Sequence, residues 1–235
     1  MKRFWEAALA VPRLEAGYGV ELDGRPLRLP GGNILTTESH PLAEAIAEEW
    51  HKAGGTKGGE MRQDDVPLTR ILASAQERIA PDPKPMVEGI AQYGGTDLLC
   101  YRAEDHRLAA RQAEAWQPWL EWAALALDAP LRITHGLMPV AQAPESLAAL
   151  RAAVARHDAS GLAALGVAVP ALGSLVLGLA LTVGRLEAEE AHRLAILDEV
   201  FQEEFWGSDP EAAARRQARL DEVKLAGRFL ALVAG

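Results

Sequence analysis

Two Glu-x-x-His pairs have a spacing that could do chemistry: Glu48 with His51, and Glu189 with His192. Three residues apart on a helix, a carboxylate and an imidazole share a face. Two such pairs, with two further glutamates, can hold a di-iron centre. The count argues against that use. With 33 acids in 235 residues, six histidines give close to one such pair by chance alone. The two pairs also fall in different halves of the chain, so no metal site is expected. The single cysteine, Cys100, lies in the apolar run Leu98-Leu99-Cys100-Tyr101. A thiol there reads as buried and inert. Gly-x-Ser-x-Gly and Walker patterns are absent, and Gly17-Tyr18-Gly19 precedes a strand where a dinucleotide fingerprint would follow one. The sequence therefore predicts no catalytic residue and no cofactor.

Composition narrows the partners. The 33 acids outnumber 24 bases, for a formal charge of -9. That opposes a broad nucleic-acid surface, which needs a basic stripe to displace counterions. Hydrophobic residues make up 49% of the chain, enough for a packed core. One cysteine allows no internal disulfide and fits a reducing compartment. The start, Met1-Lys2-Arg3-Phe4-Trp5-Glu6, has no secretory pattern, so a cytoplasmic protein is expected, or a mature form already trimmed. Gly161 to Gly184 carries no charge over 24 residues and is long enough to span a membrane. Pro170 and three internal glycines argue instead for two short buried helices meeting near Pro170. A monomer without a membrane span is expected.

The elements that must position any site read as α+β. Residues 1–85 are expected to form a small domain of antiparallel sheet plus helix, and residues 86–235 an all-α helical domain. Trp5, Leu9 and Val11 share one parity in a strand over 4–11. Tyr18, Val20 and Leu22 alternate, Asp23-Gly24 turns, and Leu27 and Leu29 resume the alternation, which predicts a hairpin. A helix starts near Ser39-His40-Pro41 and buries Leu42, Ile46 and Trp50. Leu68, Ile71, Leu72, Ala75 and Ile79 mark another helical face. Asp105 can cap a long helix that Pro118 kinks or divides, and the density of Trp116, Trp119 and Trp122 on it is expected to serve mainly the core. Later helices are expected at about 145–156, 158–168, 171–183, 187–206 and 210–231.

One stretch is chemically unusual. Residues 187–211 hold nine acids and one base, a net charge of -8. Leu194, Leu197, Phe201 and Phe205 project to one side of a helix. Glu199, Gln202, Glu203 and Trp206 project to the other. A tryptophan among carboxylates suits a binding face better than a purely solvated one. Asp198, Glu199, Gln202, Glu203 and Trp206 are the candidate partner-binding residues. Glu199 is expected to be free for a partner, so that replacing it leaves melting near native.

Several motifs together carry a resemblance. They are Lys2-Arg3-Phe4, Leu22-Asp23-Gly24-Arg25-Pro26, Leu42-Ala43 to Glu49-Trp50, and Pro67-Leu68-Thr69-Arg70. They continue with Asp97 to Ala103, Arg111-Gln112, Trp116, Gly173 to Leu177, and Asp198-Glu199, Gln202 and Trp206-Gly207. With these the chain resembles the assembly-chaperone family for the α subunit of the F-type ATP synthase catalytic head. Met61 to Val66 departs from the family pattern. The resemblance implies a protein without catalytic activity that holds the unassembled α subunit and prevents its aggregation. The residue patterns by themselves leave two other readings, a scaffold for another complex and an enzyme with an inter-domain site.

Overall fold

The computed structural model describes residues 1–13, 17–207 and 209–235. The chain divides into two compact units. One comprises Met1–Pro83 with Ala159–Ala164 and Arg228–Gly235, the other Lys84–Asp158 with Leu165–Gly227. The architecture is α+β, a small antiparallel sheet near the start followed mostly by helices.

In the first unit, β1 (Ala8–Arg13) and β2 (Gly17–Leu22) pair antiparallel with Ala8 opposite Leu22. Asp23 (φ 49°) and Gly24 (φ 75°) then turn the chain into β3 (Arg25–Pro26), which returns along β2. Two consecutive positive φ values are what a tight hairpin requires, and Asp-Gly supplies them at low steric cost. The strand β4 (Thr36–Thr37) pairs with the other end of β2. The strand expected over 4–11 begins only at Ala8. The Asp23 carboxylate accepts the N–H groups of Glu6 and Ala7, so a side chain holds the segment where a strand partner would be. Trp5 is fully buried outside the strand, while Leu9 is 63% exposed.

Helix α1 (His40–Lys52) packs on β1 and β2, and Ser39 caps it by accepting from Leu42 N at 3.1 Å. Leu42, Ile46 and Trp50 are buried as their spacing predicts. At its other end the guanidinium of buried Arg3 donates to the carbonyls of His51 (2.7 Å) and Ala53 (3.3 Å). Glu49 reaches α2 (Pro67–Ser74), accepting from Leu68 N at 2.7 Å and Thr69 N at 3.2 Å. A carboxylate on the exposed amides of a helix start is favourable. Trp50 Nε1 donates to Thr69 Oγ1 at 2.9 Å, so the Glu-Trp and Pro-Leu-Thr-Arg motifs form one structural joint. The helix continues as a π turn over Ala75–Ile79.

The second unit opens with α3 (Lys84–Ala91) and holds one short parallel ladder, β5 (Tyr101–Arg102) against β6 (Thr134–His135). Between those strands α4 (His106–Ala126) is capped by Asp105 and runs unbroken through Pro118. Pro118 is exposed, so water can reach the carbonyl left without its N–H partner. Trp116 is fully buried. Trp119 and Trp122 are only half-buried and meet edge to face at 6.3 Å.

After α5 (Pro144–Ala155), the uncharged run divides into α6 (Ala159–Leu172) and α7 (Leu175–Thr182). The break falls at Gly173, three residues past Pro170. Gly173 takes φ 64°, and Ser174 caps α7 by accepting from Leu177 N at 3.1 Å. Among the described residues no helix is long and apolar enough to cross a membrane. The helix expected over 187–206 is two helices, α8 (Ala188–Ala195) and α9 (Leu197–Trp206), separated by Ile196 at φ -103° and ψ 11°. The last helix is α10 (Pro210–Ala234).

Candidate functional site

Helix α9 is positioned from behind by α4. The indole of Trp116 donates to Leu194 O at 3.0 Å. The amide of Gln112, only 1% exposed, works in both directions. Its Oε1 accepts from Ala103 N at 2.7 Å and its Nε2 donates to Asp198 Oδ1 at 2.7 Å. Burial pushes the Asp198 carboxyl up, against the Gln112 hydrogen bond that favours the charged form. Arg102 lies over the Trp116 ring at 5.5 Å and donates to Leu99 O and Tyr101 O, both at 2.7 Å. Asp97 is completely buried and accepts from Leu99 N and Val176 N, both at 3.0 Å. It ties the Asp-Leu-Leu-Cys-Tyr-Arg run to the start of α7. Desolvation dominates and pushes the Asp97 carboxyl up. These residues are scaffold for the site. The sequence alone carries no sign of which distant group each one meets.

The front of α9 faces α10. The Glu199 carboxylate meets the Arg219 guanidinium and lies 3.7 Å from Arg216, while Glu203 meets Arg216. The Arg216 side chain is only 12% exposed. Behind this ladder His192 is buried, and desolvation with the two arginine charges holds its imidazole below the ordinary range. Farther along, Lys224 meets Glu189 at 3.0 Å. Much of the acidic excess of residues 187–211 is thus answered within the unit. The arginines are the residues that the acidic window missed. Their signal is the pair Arg216 and Arg219, one helical turn apart and so on one face of α10, as Glu199 and Glu203 are on one face of α9.

Glu199, Gln202, Glu203 and Trp206 line one concave surface with Ala212, Arg216 and Arg219. The structure brings these four candidates together. It places the fifth, Asp198, against Gln112 and away from that surface. Trp206 is 88% exposed. On the flank Arg111 pairs with Glu204 at 2.6 and 3.0 Å, and Arg107 lies over Phe205 at 4.8 Å. Phe205, expected on the same side as Phe201, is 52% exposed, whereas Phe201 is buried. Such a surface can offer an indole for apolar contact, an exposed amide, and carboxylates that can exchange one cation for another. Among the described residues it brings together no nucleophile with a base.

The other chemical candidates are accounted for locally. Burial pushes the Cys100 thiol up to about 12, so it stays protonated at neutral pH. Glu48 pairs with Lys52, and Glu189 with Lys224. Among the described residues no three His, Cys, Asp or Glu side chains group to hold a metal ion.

Residues 2–124 match the ATP12 chaperone protein family. The mitochondrial protein atp12 of Schizosaccharomyces pombe is 26% identical over 224 residues, 90% of this chain and 75% of that protein. The crystal structure of Atp12 from Paracoccus denitrificans superposes with a TM-score of 0.90 at 45% identity, covering 99% of this chain and 98% of that one. A solved structure from Agrobacterium tumefaciens reaches a TM-score of 0.89 at 36% identity, covering 98% and 85%. The family match ends before α9, whereas the structural similarity extends across it.

Proposed function

The chain belongs to the ATP12 chaperone protein family, and from that premise we propose that it is an assembly chaperone of the F-type ATP synthase catalytic head. It holds the unassembled α subunit and keeps it from aggregating, and it catalyses no reaction. A surface destined for a permanent interface is apolar and sticky while unpaired. A holder needs an apolar anchor and charges that let go again. The observation that carries this reading is Trp206, 88% exposed at the end of a helix whose carboxylates sit in an ion-pair ladder. A basic group of the α subunit can compete with Arg216 or Arg219 for Glu199 and Glu203 while the indole fills an apolar hollow. The proposed compartment is the bacterial cytoplasm, or the mitochondrial matrix in a eukaryote.

Co-expression tests this. The α subunit alone should sediment with aggregates, and this chain should keep it in the supernatant as a complex. Trp206→Ala should return it to the pellet. An α subunit that stays soluble without the chain, or one that the chain never captures, would remove the proposal.

A further inference from the structure

The first unit carries a second surface that runs against the charge of the chain. Arg25, Arg28, Arg62, Arg70 and Arg78 line one groove, and the only acid among its lining residues is Glu77. Glu77 is already engaged, accepting from Gly31 N at 2.9 Å and Asn33 Nδ2 at 3.3 Å. Arg70 is answered by Asp64 at 2.8 Å, and Arg28 by the carbonyl of Gly32 at 2.8 Å. Among the described residues Arg25, Arg62 and Arg78 have no carboxylate within ion-pair distance. All three are exposed.

The walls between these arginines are apolar. Leu27, Leu29, Met61 and Val66 are buried along the groove, and the ring of Phe4 is 58% exposed. The groove encloses about 1620 Å³, more than a small-molecule pocket of roughly 300–1,000 Å³ requires. An apolar trough with cationic sides matches a chain that presents apolar side chains inward and carboxylates outward.

We propose that this groove binds an extended polypeptide segment in which apolar and acidic side chains alternate. Arg25, Arg62 and Arg78 take the carboxylates, and the trough beside Phe4 takes the apolar side chains. The proposal does not depend on the reading of α9, which belongs to the other unit. A nucleic acid fits less well, because the groove offers one exposed ring for stacking and the net charge of the chain repels a long polyanion.

The test uses the full-length chain and a fluorescein-labelled peptide alternating glutamate with leucine and valine, followed by fluorescence anisotropy. The peptide should bind, and rising salt should weaken it. Replacing its glutamates by lysine, or its leucines and valines by serine, should abolish binding. Each of Arg25→Glu, Arg62→Glu and Arg78→Glu should weaken it roughly tenfold with unchanged melting. If a glutamate variant melts early, the matching glutamine variant should still weaken the peptide measurably. No binding, equal binding of the lysine peptide, or full affinity in the folded arginine variants would overturn the proposal. So would oligo-dT or phosphatidylserine vesicles competing as strongly as the unlabelled peptide.

Discussion

Gln112 and Asp198 meet in a 2.7 Å hydrogen bond although 86 residues separate them, and the same Gln112 amide also holds Ala103 N. One buried side chain therefore sets both the start of α4 and the rotation of α9 that presents Trp206. Truncation in Gln112→Ala leaves the half-buried Ala103 N–H and the half-buried Asp198 carboxylate unpaired. Each such loss costs about 1–3 kcal/mol. Gln112→Glu should be more damaging near neutral pH, because it sets a second carboxylate against Asp198, and it should recover in part on acidification. Chemical denaturation at two pH values checks both statements.

The exposed indole predicts a separation of stability from binding. Trp206→Ala should shift the unfolding free energy by no more than about 0.5 kcal/mol, as for most surface changes. It should still lose the ability to hold the α subunit. A parallel loss of melting temperature would assign Trp206 to the packing of α9 instead.

Glu199 behaves differently from a free carboxylate. The ladder with Arg219 and Arg216 alters the expectation of near-native melting for its variants. Glu199→Gln removes a partly exposed pair and should cost about 0–1 kcal/mol. Glu199→Lys sets three cations together and should cost roughly 1–2 kcal/mol more. Thermal melts in low and high salt test this, since salt should narrow the gap between the two variants.

Trp50 should be indispensable for folding. Its ring lies 5.0 Å from that of Trp5, and its carbonyl accepts the Trp5 indole N–H at 2.9 Å. Trp50→Ala removes a buried aromatic and should cost about 3–5 kcal/mol, read as a lower denaturation midpoint and soluble yield.

His192 predicts the pH dependence near neutrality. Its folded pKa lies below the ordinary value of 6.5 because burial disfavours the imidazolium. Between the two values the unfolded chain binds a proton that the folded chain does not. Stability from this group therefore rises with pH through that window and levels off above 6.5. The slope is at most about 1.4 kcal/mol per pH unit. The raised carboxyls of Glu49, Asp97 and Asp198 act with the opposite sign above their ordinary carboxylate values, where the folded chain binds the extra proton. Subtracting a His192→Gln titration from that of the wild type isolates the histidine contribution.

The sequence by itself determined what depends on neighbours along the chain. The Asp23-Gly24 hairpin, the Ser39 and Asp105 caps, and the stripe of Leu42, Ile46 and Trp50 are local, so spacing and turn chemistry sufficed. It also marked α9 by its charge and its tryptophan. Tertiary structure decided what depends on partners far along the chain. Trp5 is core without being strand, because Asp23 takes the preceding amides. The apolar run breaks at Gly173, where a positive φ and a Ser174 cap end one helix and start the next, although Pro170 was the louder local signal. Asp198 turned toward Gln112, and Glu199 and Glu203 found arginines thirteen to twenty residues away. Charge along a chain records how many ions a face carries. Only the folded structure records which of them are already paired.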